Sequence, residues 1–428
     1  MPPIPAAALP PGPSVWLVML ALLGTHLAGM GTFLTLPVLA PAIAAEFGLA
    51  PSLAGVHTAI AYSGAMLSGP LTQGLLRRHG GIRVCQGALV VIGLGIALAA
   101  LGHPLALLAS ALVAGFGHGP LTPAGSHVLA ARTPSQIRSL VFGLKQTGVP
   151  AGAMLVSVIA PVVGAAWGWR AGVLAIALIA LLLALALQPL RAVLDADRDP
   201  AAPRGAAWRD AIGSLLLLRD APQLRATTLY GCGLVIGQFG FFSLFVAWQV
   251  EVLGTPLVEA GVTMAIGQAA GVIGRVLWAV LADRFGAPPV LGVIGLGAAA
   301  ASLGLALADA SLPSAGVVAL AAAMGCFAVG WTGVLLAEVA RLAPPGRVGA
   351  ATSAMGFAMA LTLIVSPGLL SALVWLTGGY AAGFGLCGGL AALAVVVLRR
   401  GTRLGRQDGT RAGIAVSPTS SRSGGPAA

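Results

Sequence analysis

Long apolar runs nearly free of charge alternate with short polar gaps along most of this chain. Six runs fall near residues 14–40, 54–76, 84–102, 104–131, 139–163 and 171–190. After a charged stretch, six more fall near 226–250, 259–282, 289–308, 314–340, 348–375 and 379–398. Each is long enough to cross ~30 Å of hydrocarbon at ~1.5 Å per residue. In hydrocarbon every backbone polar group must be satisfied within the protein, so runs of this length predict helices. The pattern therefore predicts an all-α polytopic membrane protein with twelve transmembrane helices.

The charges in the gaps alternate. Every second gap carries Arg: Arg77, Arg78 and Arg83, then Arg132 and Arg138, then six between Arg191 and Arg225, then Arg284, then Arg341 and Arg347, and six more after Leu398. The intervening gaps hold Arg170 alone, beside Glu46, Glu251, Glu259 and Asp309. By the positive-inside rule both termini face the cytoplasm. Arg greatly outnumbers Lys and Ala and Gly abound, as in a GC-rich bacterial genome, so the expected location is a bacterial inner membrane. A composition of 58% hydrophobic and 8% charged residues excludes a soluble or disordered chain of this length. The net charge of +11 orients the protein and meets anionic lipid, and it does not imply a nucleic-acid partner. The four cysteines all lie in apolar runs without metal-ligand spacing, and neither a metal nor a cofactor is expected.

The chain repeats at one long offset. Gly48, Gly55, Gly80 and Pro161 are each matched 206 residues later by Gly254, Gly261, Gly286 and Pro367. Ala54-Gly55-Val56 answers to Ala260-Gly261-Val262, and Arg78-His79-Gly80 to Arg284-Phe285-Gly286. Six helices is an even number, so the halves share one orientation and form two parallel-repeat six-helix bundles. The expected divisions are a cytoplasmic N-terminal segment 1–13, a bundle 14–190, a cytoplasmic central loop 191–225, a bundle 226–398 and a disordered tail 399–428. Within the central loop, Trp208 to Leu218 fits an amphipathic interfacial helix and a solvated loop equally.

Over residues 14 to 398 the chain resembles the major facilitator superfamily. Its helix 8–9 loop signature appears as Ala279-Val-Leu-Ala-Asp283-Arg284-Phe285-Gly286, with Ala in place of the usual first Gly. The helix 2–3 copy is degenerate: Arg77 stands where Asp is usual, followed by Arg78, His79, Gly80 and Arg83. Helix 5 ends in Pro161-Val-Val-Gly164 and Gly168-Trp169-Arg170, similar to a family segment. Helix 4 keeps Gly115 and Gly117, but Ala111 replaces an Arg often tied to proton coupling. The resemblance implies gating roles for Asp283, Arg284, Gly286, Arg78 and Gly80. It also implies a central path lined by helices 1, 4, 7 and 10, with helices 5 and 8 facing each other.

Two cations, Lys145 and Arg275, fall inside the runs, where an unpaired charge costs ~2.5–3.5 kcal/mol even on the lenient insertion scale. Lys145 lies ~10 Å into helix 5 and Arg275 ~12 Å into helix 8, depths from which both side chains can snorkel. Gln268 and Arg275, seven residues apart with Gly261, Gly271 and Gly274 nearby, read instead as a polar stripe aimed at protein or a cavity. No carboxylate lies mid-run to neutralise the cations, so the missing anion is expected to be the cargo. At the 206-residue offset they meet Ala351 and Gly69, so each charge belongs to one half only. A basic residue on helix 8 also resembles the anion-binding positions of monocarboxylate and oxalate:formate porters in the superfamily.

Softer substrate-binding candidates are His26, Tyr62, His118, Gln146, Gln238 and Trp331, although interhelical packing explains each more readily. The six histidines lack partner carboxylates, which argues against an intramembrane enzyme. Lys145, the only lysine, follows Leu144, so no Gly-x-x-x-x-Gly-Lys phosphate loop exists. The expected function is monomeric secondary transport of a small organic anion by proton symport or exchange. The rival is multidrug or metabolite efflux, whose cationic drugs call for a buried acid.

Overall fold

A computed structural model describes residues 12–134, 137–196, 198–201, 208–344 and 347–414. The Pro-rich start, part of the central loop and the tail from 415 lie outside the described residues. Helices dominate, and among the described residues eleven are long and apolar enough to span a membrane. The twelfth is helix 2, which forms Ala54–Ser68 and Thr72–His79 joined by the tighter turn Gly69–Leu71. It is interrupted because Pro70 supplies no N–H and Gly69 resists no bend.

Helix 1 is Val15–Phe47, helix 3 Gly81–Ala97 with a tighter turn to Leu101, and helix 4 Pro104–His118 plus Leu121–Arg132. Helix 5 is Arg138–Gln146 plus Gly148–Trp167, and helix 6 Trp169–Ala186 plus Gln188–Leu194. A linker helix, Trp208–Asp220, leads to helix 7, Pro222–Val252. Helix 8 is Leu257–Phe285, helix 9 Ala287–Leu307, and helix 11 Val348–Thr377. Helix 10 joins Ser314–Ala323 to Thr332–Leu342 through a wide turn at Met324–Val329. Helix 12, Ala381–Ile414, runs past residue 399, where the charge and Gly content predicted a disordered tail. Of the two readings for the central loop, the helix is the one formed, with Leu217 buried and Leu216 exposed.

The internal repeat is visible in the backbone. Gly48 and Gly254 end helices 1 and 7 near φ 64° and 66°, and Gly80 and Gly286 end helices 2 and 8 near 83° and 85°. Only glycine adopts these angles without strain, which accounts for their recurrence at one offset. The Gly115-Phe-Gly117-His-Gly119 run is a packing device. A Cβ at Gly115 would overlap the Ala61 carbonyl of helix 2, and one at Gly117 would lie 2.8 Å from the Ala88 carbonyl of helix 3.

The halves meet on one face and part on the other. On the Arg-poor face, helix 2 packs on helix 11 and helix 5 on helix 8, and Ser371 donates its hydroxyl to the Ser52 carbonyl. On the Arg-rich face, segments 72–79, 121–132 and 332–342 pack chiefly within their own halves, and 138–146 meets the other half at the Gln146 carbonyl. Each half is also tied internally at its Arg-poor end. Glu46 accepts from Arg170 at 2.5 and 2.7 Å and from Trp169 at 2.7 Å, while Glu251 accepts from Tyr380. At the opposite end Glu338 and Arg341 form an i,i+3 ion pair at 2.6 and 2.7 Å.

Candidate functional site

The polar stripe on helix 8 divides between two neighbours. Gly267, Gly271 and Gly274 face helix 10, where added Cβ atoms would meet Ala321, Gly325 and Cys326. Gly261 faces Ser157 and Pro161 of helix 5 across the boundary between halves. Gln268 and Arg275 follow Gly261 at seven-residue steps and so continue this second stripe. Gln268 is fully buried, its carboxamide nitrogen 4.0 Å from the Met264 sulfur and its Oε1 without a partner among the described residues.

Arg275 crosses the boundary. Its Nη1 donates to the Gln146 carbonyl of helix 5 at 3.4 Å. That carbonyl is free for a simple reason: its helical partner four residues on is Pro150, which has no N–H, and the helix is interrupted at Thr147. The contact is long for a hydrogen bond and the acceptor is neutral, so the guanidinium charge stays uncompensated. The Arg275 Nε has no partner among the described residues, and neither has the Gln146 Oε1.

Lys145 is adjacent in sequence but points elsewhere. The residue is 1% exposed, and its ammonium donates to Ser126 Oγ at 2.9 Å and to the Thr122 carbonyl at 3.4 Å, both on helix 4. Snorkelling is therefore not what this side chain does, because the interior of the N-terminal half holds it. Gly148 and Gly152 allow this by pressing helix 5 against the Leu23 and Leu27 carbonyls of helix 1. His26 completes the cluster, with Nδ1 3.1 Å from the Leu22 carbonyl and Nε2 3.3 Å from Thr122 Oγ1. The structure thus brings Arg275 to the segment carrying Lys145 without bringing the two charges to a common wall.

Tyr62 and His118 share a second cluster. Phe33 of helix 1 lies 4.8 Å from the Tyr62 ring and 4.3 Å from the His118 ring, while Phe239 of helix 7 stands perpendicular to Tyr62 at 5.0 Å. These aromatics join the two halves at mid-chain of helices 1, 2, 4 and 7. Gln238 and Trp331 are buried, and Trp331 donates to the Ala328 carbonyl of its own helix at 2.8 Å. Phe33, Phe239, Thr122, Ser126 and Pro150 escaped the sequence reading. Only Pro150 carried a usable signal, as a helix breaker four residues from a polar intramembrane position.

The loop residues are placed more simply. Gly286 closes helix 8 by donating to the Ala282 carbonyl at 2.8 Å, and Gly80 closes helix 2 on the Leu76 carbonyl at 2.9 Å. Asp283 is exposed, Arg284 lies over the Phe285 ring at 5.4 Å, and Arg78 is half-buried. The carboxylate missing at position 77 is supplied from afar. Asp195, after helix 6, accepts from the Ile82 and Arg83 backbone N–H groups at 2.8 and 2.9 Å, capping helix 3. Its carboxylate fills the space over Gly80, whereas no described residue comes within 4 Å of a Cβ at Gly286.

Comparison with known proteins agrees with this architecture. The Major Facilitator Superfamily model matches residues 21–367. No curated protein sequence matches the chain. Among solved structures, a bacterial homologue of the human lysosomal transporter Spinster, in an inward-facing and occupied conformation, superposes with TM-score 0.72 at 18% identity, covering 92% of this chain and 98% of that one. A peptide transporter, POT, superposes with TM-score 0.70 at 17% identity, covering 91% of this chain and 95% of that one. The chain belongs to the Major Facilitator Superfamily and is a multi-pass membrane transporter of small molecules, not an enzyme.

Proposed function

We propose that this transporter carries a small organic anion, with Arg275 as its primary contact. The observation that carries this reading is an arginine at the boundary of the two halves whose described partner is one neutral carbonyl. A carboxylate can accept two parallel hydrogen bonds from a guanidinium, which the Gln146 carbonyl cannot do. The aromatic cluster of Phe33, Tyr62 and Phe239 offers an apolar surface for the rest of the cargo. Gln146 and Gln268, with unused amide oxygens, add hydrogen-bonding capacity along the same boundary. Tyr62 and His118 shape the aromatic side, and Lys145 adds a buried cation within the N-terminal half, with His26 beside it through Thr122.

The Arg-rich face is the cytoplasmic face of a bacterial inner membrane, with both termini there and the protein working as a monomer. Parting of the halves on that face then makes the structure inward-facing, one of the two states of alternating access. Cysteine substitutions in 191–196 are expected to react with impermeant reagents from the cytoplasm only, and those in 48–53 from outside only; the reverse pattern would overturn the orientation. Coupling is proton symport or exchange of one anion for another.

The aromatic cluster also fits the rival reading, efflux of amphipathic metabolites or drugs. Uptake and counterflow in proteoliposomes over a panel of carboxylates, inorganic anions and cationic dyes separates the two. Transport of carboxylates, accelerated or not by an imposed pH gradient, supports the anion porter and tells symport from exchange. Transport confined to cationic dyes would refute it.

A further inference from the structure

On the Arg-rich face of the C-terminal half, a cavity of about 980 Å³ opens between the helix 8–9 turn, helix 9, the end of helix 10 and helix 12. Its polar end is formed by Arg341, Arg399 and Arg403, and no acidic residue lines it among the described residues. Arg399 and Arg403 are four residues apart and share one face of helix 12. Arg341 is held in place by Glu338 through Nε and Nη2, while 63% of its side chain stays accessible. The remaining wall is apolar: Phe285, Val293 and Leu296 are 60%, 54% and 48% exposed.

The two ends sit at different depths. Leu296 is nine residues into helix 9, ~14 Å along its axis from the Arg-rich edge. Arg399 follows the last residue of the apolar run of helix 12, at the level of lipid headgroups. Glu338 offsets one of the three charges, so the group keeps a net positive charge that an anion would neutralise, and an apolar groove leading from it into the hydrocarbon suits an acyl chain. We propose that this cavity binds one anionic phospholipid from the leaflet on the Arg-rich face, its phosphate among the three arginines and an acyl chain along Val293 and Leu296. A free phosphate would meet the same cations but leave the apolar wall unused. This site is independent of Arg275 and of the cargo.

The test is native mass spectrometry of the full-length protein in detergent, titrated with phosphatidylglycerol, with phosphatidylcholine and with inorganic phosphate. Two surface cations together favour the anionic lipid by about thirtyfold. The expected result is that preference for phosphatidylglycerol over phosphatidylcholine, lost in Arg399→Gln/Arg403→Gln and kept in Arg77→Gln/Arg83→Gln, which removes equal charge from the other half. Leu296→Trp, which fills the groove at an exposed position, is expected to weaken phosphatidylglycerol binding without removing charge, and it carries the test if the double variant fails to fold. Equal binding of the two lipids, a preference unaffected by either set of variants, or displacement by millimolar phosphate would overturn the proposal; in the last case the site holds a free anion.

Discussion

Arg275→Gln is expected to abolish high-affinity transport of the anionic cargo while leaving a folded, membrane-inserted protein. Removing one partner of a buried charge-assisted contact typically costs ~2–5 kcal/mol, which lowers affinity more than tenfold. The fold tolerates the change because Arg275 is tied to helix 5 by one long hydrogen bond to a backbone carbonyl, and little is lost with it. Arg275→Lys keeps the charge but not the bidentate geometry, so it is expected to recover transport only in part. Lys145→Gln should weaken binding less, because its ammonium is spent on Ser126 and Thr122 inside the N-terminal half. Radiolabelled uptake across a concentration series, at matched protein abundance, reads all three. Unaltered affinity in both neutral variants would return Arg275 to a structural role.

The contrast between these two cations shows how far the sequence could be read. Their depth in the membrane follows from counting residues, since an α-helix fixes the rise per residue. Their direction does not, because it depends on which neighbour each helix face meets. Arg275 shares a stripe with Gly261 and Gln268, and that periodicity was enough to aim it at protein. Lys145 is aimed by Gly148 and Gly152, which press helix 5 against helix 1, and by Ser126, whose place beside it is a matter of tertiary packing. The repeat glycines were legible for the opposite reason: positive φ is a local demand that glycine alone meets cheaply, so Gly48, Gly80, Gly254 and Gly286 recur at one offset. Asp195 lay beyond reach, because it replaces a carboxylate of the degenerate helix 2–3 loop from more than a hundred residues away. Helix 2 read as one uninterrupted run since apolar content alone does not reveal the break at Gly69-Pro70.

Gly261→Leu is expected to reduce transport at least tenfold and to hold the Arg-poor face open. Gly261 and its repeat mate Gly55 occupy corresponding contacts between the halves: Gly261 lies on Ser157 and Pro161 of helix 5, and Gly55 on Pro367 and Ser371 of helix 11. Pro161 and Pro367 are themselves repeat mates, so the closed face is built twice from one pattern. At both glycines an added Cβ would overlap a backbone carbonyl of the other half, which cannot rotate away. A leucine therefore forces the halves apart, at a cost of ~1–3 kcal/mol for overpacking. Alternating access needs the two states to be nearly balanced, and ~1.4 kcal/mol already shifts their ratio tenfold. Gly55→Leu should act alike, and the double variant more strongly, since the two contacts lie on different helix pairs. A cysteine placed at Ser371 reports the state directly, because in the closed form this buried side chain bonds to the Ser52 carbonyl. In the Gly261→Leu background it should become reactive toward an impermeant thiol reagent applied to the Arg-poor face. Gly87→Leu, at an exposed position with nothing within 4 Å, is the control and should change neither rate nor labelling. Full transport with an unreactive Cys at 371 in Gly261→Leu would show that the closed face is held elsewhere.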